Sequence, residues 1–308
     1  MASMVNRKTP RSLYDPIRHV LEAGGKRIRP VVTLLACEAV GGRAAEALNA
    51  AVAVEMLHTF TLVHDDIMDD ADTRRGRATI HSKWNNNVAI LAGDELIALA
   101  YRALLKTTQR YAVRAAEMFT ESFVEVCEGQ GFDKEFEEKT DVSINEYLMM
   151  IKKKTAAMFS YAAGIGGTIG GGSKVEVRTL RLYGNYLGMA FQLQDDLLDI
   201  TGNRKSTGKP IGGDLKLGKK TYLVLRAMES TRGPERALIG RVVRRQSIGD
   251  ADVRRIRAIM GTRGIIDDAQ AMVRTNTLRA QRTLDSLPSS FATEMLSRLA
   301  SQLLERAM

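Results

Sequence analysis

Two short blocks of aspartate contain the side chains best suited to chemistry. "DDIMDDAD" at residues 65–72 places five aspartates within eight positions, and "DDLLD" at 195–199 places three within five. Carboxylates this close repel one another and raise each other's pKa values unless a cation lies between them. One block alone would indicate a charged surface turn, but two indicate a site for divalent metal. Oxygen ligands without histidine or cysteine favour Mg²⁺ over Zn²⁺.

The spacing within each block predicts a shared face. In a helix, aspartates at positions i and i+4 project from one side, about 6 Å apart. The pairs are Asp65 with Asp69 and Asp195 with Asp199, and Gln192 lies on the second stripe, three residues before Asp195. The remainder of both segments is apolar, so we expect these carboxylates at the mouth of an apolar interior.

The elements that must position these blocks are predicted to be long helices. No proline occurs between Pro30 and Pro210, and apolar residues recur with a period near 3.6. We predict helices from 44 into the first aspartates, over 86–108, over 143–165 with a capping box at Ser143 and Glu146, and over 176–200. Period-two alternation is nearly absent. The prediction is an all-α fold, a single-domain helical bundle around a deep central cavity.

Two glycine-rich segments imitate nucleotide loops. "GIGGTIGGGS" at 164–173 lacks the G-x-G-x-x-G spacing and a preceding strand, so we predict a close helix crossing followed by a loop. "GNRKSTGKP" at 202–210 has Pro210 where a phosphate loop needs serine or threonine. Neither segment predicts a nucleotide site.

Composition restricts the class of protein further. The net charge is +9, which suits anionic ligands, but the arginines of the last third lack the interleaved aromatics of a nucleic-acid surface. No apolar stretch is long enough for a membrane span, and the N-terminus lacks a signal-peptide core, so we predict a cytoplasmic location. The two cysteines, Cys37 and Cys127, are predicted to be reduced and buried.

A third signal is the basic loop "GGKRIRP" at 24–30, just before an apolar helix. Together with the other motifs it resembles the trans-isoprenyl diphosphate synthases (polyprenyl synthetases). The resemblance covers roughly residues 18 to 225 and rests on "GGKRIRP", "LHTFTLVHDDIMD", "TRRGRATIH", "KKKTAAMF", "GMAFQLQDDLLD" and "GKPIGGDLKLGKKTYL", in family order. It implies one all-α isoprenoid-synthase domain over residues 1–308.

The resemblance also implies a metal and diphosphate site. In such enzymes two aspartate motifs bind three Mg²⁺ ions that hold an allylic diphosphate (dimethylallyl, geranyl or farnesyl). The main ligands would be Asp65, Asp69 and Asp195, with Asp66, Asp196 and Asp199 ligating or orienting waters. The cations gripping the same diphosphate would be Arg74, Lys154 and Lys209, assisted by Lys219.

The second substrate would be isopentenyl diphosphate, bound by Lys26, Arg29, His58 and Arg75. Loss of pyrophosphate would leave an allylic carbocation, which the isopentenyl double bond attacks head to tail. The carbonyl of Lys154, the hydroxyl of Thr155 and the amide oxygen of Gln192 would stabilise that cation. His64, His19 and His81 are predicted to be structural.

Chain length and assembly are also expectations from the resemblance. Phe60, five positions before Asp65, would form the floor of the chain cavity. A bulky ring at this place resembles C20-type synthases, so we expect geranylgeranyl diphosphate first and farnesyl diphosphate second. The family resemblance also implies a homodimer.

Four alternatives fit less well. A class I terpene cyclase would carry an Asn/Ser/Glu-type second metal motif and lack "GGKRIRP", and a squalene-type synthase would also lack that loop. A non-catalytic regulatory subunit would have lost an aspartate or lysine, and none is missing. A basic helical nucleic-acid binder leaves both acidic blocks without a purpose.

Overall fold

The computed structural model describes residues 7–202 and 212–305, and its regular structure is helical apart from one short hairpin. Lys209 lies outside the described residues. The helices are α1 (Arg11–Leu21), α2 (Ile28–Ala39), α3 (Ala44–Met68), α4 (Ile80–Lys83), α5 (Asn86–Leu104), α6 (Gln109–Glu138), α7 (Ile144–Ile151), α8 (Ala157–Ile169), α9 (Lys174–Thr201), α10 (Gly213–Lys216), α11 (Tyr222–Ser230), α12 (Gly233–Val243), α13 (Asp250–Thr262), α14 (Ile265–Leu284) and α15 (Phe291–Glu305). A π-helical turn, Lys152–Ala156, joins α7 to α8.

The chain divides into two compact units, each built from two stretches of sequence. The first comprises Met1–Phe123 and Tyr161–Arg178, and the second Val124–Ser160 and Thr179–Met308. No helix within the described ranges is both long and apolar enough to cross a membrane.

In the first unit, α3 is the central helix and packs against α2 and α5. Its alanines Ala47, Ala50 and Ala53 are fully buried, and buried residues occur all around the helix. Alanine has the highest helix propensity, and its small side chain lets neighbouring helices approach closely. The predicted long helix running into the aspartates is confirmed, because α3 ends at Met68 with Asp69 as its C-cap.

The glycine-rich segment of α8 is a helix crossing in the first unit. A Cβ on Gly166 would lie 2.1 Å from the carbonyl oxygen of Thr33, and one on Gly170 would lie 2.4 Å from that of Cys37. Since real Cβ atoms do not approach so closely, only glycine allows α8 to lie against the backbone of α2. The sequence prediction for this segment is confirmed.

In the second unit, α9 lies against the π-helical turn and the start of α8. A Cβ on Gly188 would meet the Cα of Ala156 at 2.5 Å, and one on Gly184 would meet the carbonyl oxygen of Phe159 at 2.3 Å. The capping box that starts α7 is confirmed, because Ser143 Oγ accepts from the Glu146 amide and Glu146 accepts from the Ser143 amide. Helices α14 and α15 pack together in the same unit.

Three details differ from the sequence predictions. A hairpin pairs β1 (Thr73–Arg74) with β2 (Arg77–Ala78), although no strand was predicted. The predicted helix over 143–165 contains the π-helical turn, which has no periodicity signal of its own. Cys37 is buried as predicted, but Cys127 is exposed, so the prediction for Cys127 is wrong. Cys127 lies on α6 beside Glu128, which also faces solvent, whereas the next residue, Gly129, is buried.

Candidate active site

The first aspartate block divides its carboxylates between two directions. Asp65 is half-buried and Asp69 exposed at the end of α3. Asp66 is buried, and its Oδ1 accepts from Arg74 Nε at 2.5 Å. Burial raises the pKa of Asp66, while the guanidinium of Arg74 opposes that rise. Asp65 and Asp69 are therefore the carboxylates that solvent or a ligand can reach, and Asp66 holds Arg74.

The hairpin brings the next arginine onto the basic loop. Its turn residues Arg75 and Gly76 have φ values of 54° and 74°, the left-handed pair that a tight hairpin turn requires. The guanidinium of Arg75 donates to the carbonyl oxygen of Gly24. A Cβ on Gly25 would lie 2.5 Å from Arg75 Nη1, so Arg75 can occupy this place only beside a glycine. The loop and the hairpin thus fix each other.

The two arginines of the basic loop have different partners. Arg27, which was not among the predicted ligands, forms an ion pair with Glu55 of α3, whose side chain is 3% exposed. Arg29 Nη1 lies 3.3 Å from His58 Nε2. Desolvation, followed by the charge of Arg29, holds the pKa of His58 well below its usual range. His58 is therefore neutral and accepts from Arg29, so that it positions the guanidinium. The remaining predicted ligand of this loop, Lys26, is exposed.

The second aspartate block shows the same division within the second unit. Asp195 is exposed and Asp196 buried, one residue apart on α9. Asp196 Oδ2 accepts from the hydroxyl of Tyr147, and its Oδ1 accepts from Gln192 Nε2 at 2.9 Å. Burial raises the pKa of Asp196 to about 7, and the nearby Asp214 adds to the rise.

Asp199 has a third environment. Its two carboxylate oxygens accept from the backbone amides of Gly213 and Asp214, each at 3.1 Å. Asp199 therefore anchors the start of α10 to the end of α9. Lys219, the assisting cation of the prediction, is exposed and lies 3.6 Å from Asp214.

The three consecutive lysines of the π-helical turn have different environments. Lys152 is exposed, Lys153 pairs with Glu128 at 2.5 Å, and Lys154 pairs with Asp133 at 2.6 Å. A Cβ on Gly129 of α6 would lie 2.2 Å from the backbone nitrogen of Lys154. The glycine lets α6 lie directly against this turn, which supports the backbone where the helix widens. Thr155 is buried, and its hydroxyl donates to Gln192 Oε1 at 2.9 Å.

The predicted floor residue is packed by aromatic rings in the first unit. Phe60 is 7% exposed and meets Phe123 edge to face at a centroid distance of 5.4 Å. The ring of His64 also packs against Phe60, at a centroid distance of 4.5 Å. A Cβ on Gly93 of α5 would lie 2.3 Å from His64 Nε2, so this histidine is enclosed between α3 and α5. That placement agrees with the structural role predicted for His64.

Two residues of these clusters were missed by the sequence analysis. No regular spacing identifies Tyr147, because the π-helical turn that follows it absorbs one extra residue and the seven-residue, two-turn rule does not apply. Asp133 lies on α6 without any spacing relation to Lys154, and only the contact between the helices reveals it.

The residues present in each unit fit the binding of magnesium and diphosphate. Each unit offers exposed or half-buried aspartates beside cations, and no group of three acidic, histidine or cysteine side chains within residues 7–202 and 212–305 is arranged to hold a metal alone. Accessible carboxylates in small numbers suit Mg²⁺, which is usually bound by one or two carboxylates and completes its shell with water and phosphate oxygens. Helices that carry such paired aspartate motifs, together with a basic loop, define an isoprenoid-synthase class of enzyme.

The chain belongs to the polyprenyl synthetase family, which it matches over residues 10–260. It is 40% identical over 302 residues to the short chain isoprenyl diphosphate synthase of Methanothermobacter thermautotrophicus, covering 97% of this chain and 91% of that protein. It is 36% identical over 316 residues to the geranylfarnesyl diphosphate synthase of Natronomonas pharaonis, covering 97% and 91%. The crystal structure of geranylgeranyl pyrophosphate synthetase from Pyrococcus horikoshii superposes with a TM-score of 0.92 at 39% identity, covering 98% of this chain and 93% of that one.

These similarities confirm the predicted family and the all-α isoprenoid-synthase fold. The chain is a prenyltransferase whose substrates are isopentenyl diphosphate and an allylic diphosphate.

Proposed function

We propose that this prenyltransferase is a Mg²⁺-dependent geranylgeranyl diphosphate synthase. Phe60 carries the C20 assignment, because its ring is buried between Phe123 and His64 on the helix that ends in the first aspartate block. The Pyrococcus horikoshii structure bears the same activity in its name, which supports a C20 product. The Natronomonas pharaonis relative is named for a C25 product, so overall similarity alone does not decide the length.

The first unit binds isopentenyl diphosphate. Arg29 is held by neutral His58, and Arg75 is held by the Gly24 carbonyl, so two guanidinium groups are fixed before the substrate arrives. Exposed Lys26 adds a third cation. Guanidinium groups recognise phosphate through paired hydrogen bonds, and prior ordering lowers the entropy lost on binding.

The allylic diphosphate would be held by cations and by Mg²⁺ on the aspartates. Asp65, Asp69 and Asp195 would be the main magnesium ligands, with Asp199, which the start of α10 holds in place, contributing. Arg74, oriented by Asp66, and Lys154 bind the same diphosphate. Lys154 exchanges Asp133 for a phosphate oxygen when the substrate arrives. Bound Mg²⁺ supplies charge that stabilises the departing pyrophosphate.

Bond cleavage leaves a carbocation that needs electron-rich neighbours. The hydroxyl proton of Thr155 is engaged by Gln192, so Thr155 Oγ1 presents its lone pairs. The Lys154 carbonyl lies in the π-helical turn, where helical hydrogen bonding is altered. The isopentenyl double bond attacks the cation, which forms a carbon–carbon bond and a second carbocation. The released pyrophosphate removes a proton from the carbon beside that second cation, which restores a double bond.

The proposal also covers the domain organisation, the oligomeric state and the location of the protein. We propose one domain, because the two units exchange segments of the chain and neither is a continuous stretch of sequence. A homodimer, which is typical of the family, and a cytoplasmic location complete the proposal.

The deciding experiment is a product assay on the purified chain. Labelled isopentenyl diphosphate is supplied with dimethylallyl, geranyl or farnesyl diphosphate and Mg²⁺, and the dephosphorylated products are separated by reversed-phase chromatography. We expect geranylgeraniol from all three primers and no product after chelation. A C15 end product would replace the C20 assignment with farnesyl diphosphate synthesis, and a C25 product would refute Phe60 as the floor.

A further inference from the structure

Tyr147 begins a chain of side-chain hydrogen bonds in the second unit. Its side chain is 2% exposed, and its hydroxyl donates to Asp196 Oδ2. Asp196 Oδ1 accepts from Gln192 Nε2 at 2.9 Å, and Gln192 Oε1 accepts from Thr155 Oγ1 at 2.9 Å. Four side chains from α7, the π-helical turn and α9 thus form one linear network.

The carboxylate sets the direction of every bond in this network. Asp196 accepts both of its bonds in this network, one from the hydroxyl of Tyr147 and one from the amide nitrogen of Gln192. The amide oxygen of Gln192 is then turned to Thr155, and the Thr155 proton is used on that oxygen. Thr155 Oγ1 keeps only lone pairs for its remaining surroundings, which is the polarity required beside a developing cation.

The π-helical turn explains how Tyr147 and Thr155 reach the same neighbour. In a continuous α-helix, residues eight positions apart differ in direction by about 80°. A π-helical turn absorbs one extra residue, so eight positions complete two turns here. Both side chains therefore face α9, one bonded to Asp196 and the other to Gln192.

We propose that Tyr147 is a positioning residue for prenyl transfer, acting through Asp196 and Gln192 to fix the hydrogen-bond polarity of Thr155. The inference rests on the proposed role of Thr155 and Gln192 beside the carbocation. Without the Tyr147 hydroxyl, Asp196 Oδ2 loses a donor that buried surroundings do not replace. The Asp196 carboxylate is then free to rotate, and it no longer holds the amide of Gln192 in one orientation.

The test is Tyr147→Phe, which removes one hydroxyl and keeps the ring. We expect kcat to fall about ten- to a hundredfold, the loss of one hydrogen bond to a charged group. KM for isopentenyl diphosphate stays within about twofold, because a loss confined to the transition state leaves ground-state binding intact. Calorimetric binding of an unreactive allylic thiolodiphosphate with Mg²⁺ should be equally unaffected.

The matched control is Tyr183→Phe. Tyr183 is a fully buried tyrosine of the same unit, and its hydroxyl donates to the Leu296 carbonyl at 2.8 Å, away from the aspartates. The Tyr183→Phe variant loses the same hydroxyl group from an equally buried position. We expect a comparable fall in thermal stability and an unchanged kcat, which separates positioning from general packing.

A double-mutant cycle tests the route of the effect. If Tyr147 acts through Thr155, then Tyr147→Phe should change kcat little in a Thr155→Val background, whereas Tyr183→Phe should add independently of it. Full kcat in Tyr147→Phe, an effect of equal size in the Thr155→Val background, or a loss confined to substrate binding would each overturn the inference.

The inference can still be tested if Tyr147→Phe does not fold, and its failure can be told apart from failure of the proposed function. If Tyr147→Phe fails to fold, Gln192→Leu breaks the network one bond further along, and a wild-type kcat in that variant would overturn the inference. If the unmodified chain makes no prenyl diphosphate, the proposed function fails instead. The two failures are thereby distinguished.

Discussion

Replacing Phe60 with alanine should lengthen the product and destabilise the fold at the same time. The ring is 7% exposed and has aromatic neighbours on two sides, Phe123 and His64. A ring packed in this way behaves as a core residue, so we expect the free energy of unfolding to fall by about 3–5 kcal/mol. A ring that faced the product alone would cost less.

The product should change because the lost ring is comparable in volume to an isoprene unit. An apolar void of this kind stays dry and accepts apolar ligands. Chain growth in Phe60→Ala should therefore continue at least one five-carbon step beyond the wild-type product. The assay is chromatography of the dephosphorylated products at matched extents of reaction, with stability measured by urea denaturation.

Phe119→Ala supplies the control for destabilisation. Phe119 is fully buried on α6 in the same unit and stacks edge to face on Tyr101 at 5.0 Å. It should lose similar stability while keeping the wild-type product. An unchanged product from folded, active Phe60→Ala would show that the floor lies elsewhere and remove the structural argument for C20. The same longer product from both variants would attribute the change to loosening of the unit.

Three further variants test the site. Asp195→Ala should lower kcat by orders of magnitude, because it removes a magnesium ligand. The control, Asp70→Ala, changes an exposed position without an assigned role and should keep activity. Near-normal turnover of Asp195→Ala at saturating Mg²⁺ would refute the metal assignment. Burial raises the pKa of Asp196 to about 7, so the metal-free folded state binds a proton that the unfolded state has lost. The free energy of unfolding should therefore fall as the pH rises from about 4, the unfolded pKa, through 7. Asp196→Asn should flatten this pH dependence in thermal melts, and an unchanged slope would show that Asp196 is not its cause. Gly25→Ala should displace the Arg75 guanidinium and raise KM for isopentenyl diphosphate with little change in KM for the allylic primer, and equal effects on both would contradict the separation of the two sites.

Local signals in the sequence predicted the elements that depend on local physics. The capping box at Ser143 and Glu146 is a contact between residues three apart, so the sequence contains both partners. The i, i+4 spacing of Asp65 and Asp69 likewise follows from helix geometry alone. These features survive in the structure because tertiary packing does not oppose them.

Features that depend on contacts between helices could not be predicted in this way. The π-helical turn is supported by Gly129 of α6, which lies more than twenty positions earlier in the chain. The hairpin needs a left-handed φ at Arg75, an uncommon conformation for arginine, and its guanidinium is held by the distant Gly24. The sequence shows the residues of such contacts but not their pairing.

The adjacent aspartates of the two blocks divide the same two tasks. In each block the first carboxylate, Asp65 or Asp195, remains accessible, and the second turns into the protein. Asp66 holds an arginine, and Asp196 holds a tyrosine and an amide. Consecutive helical residues point about 100° apart, so an adjacent pair cannot face one metal equally. This geometry explains the two environments in each motif: one carboxylate is open to a ligand, and its neighbour holds side chains of the protein.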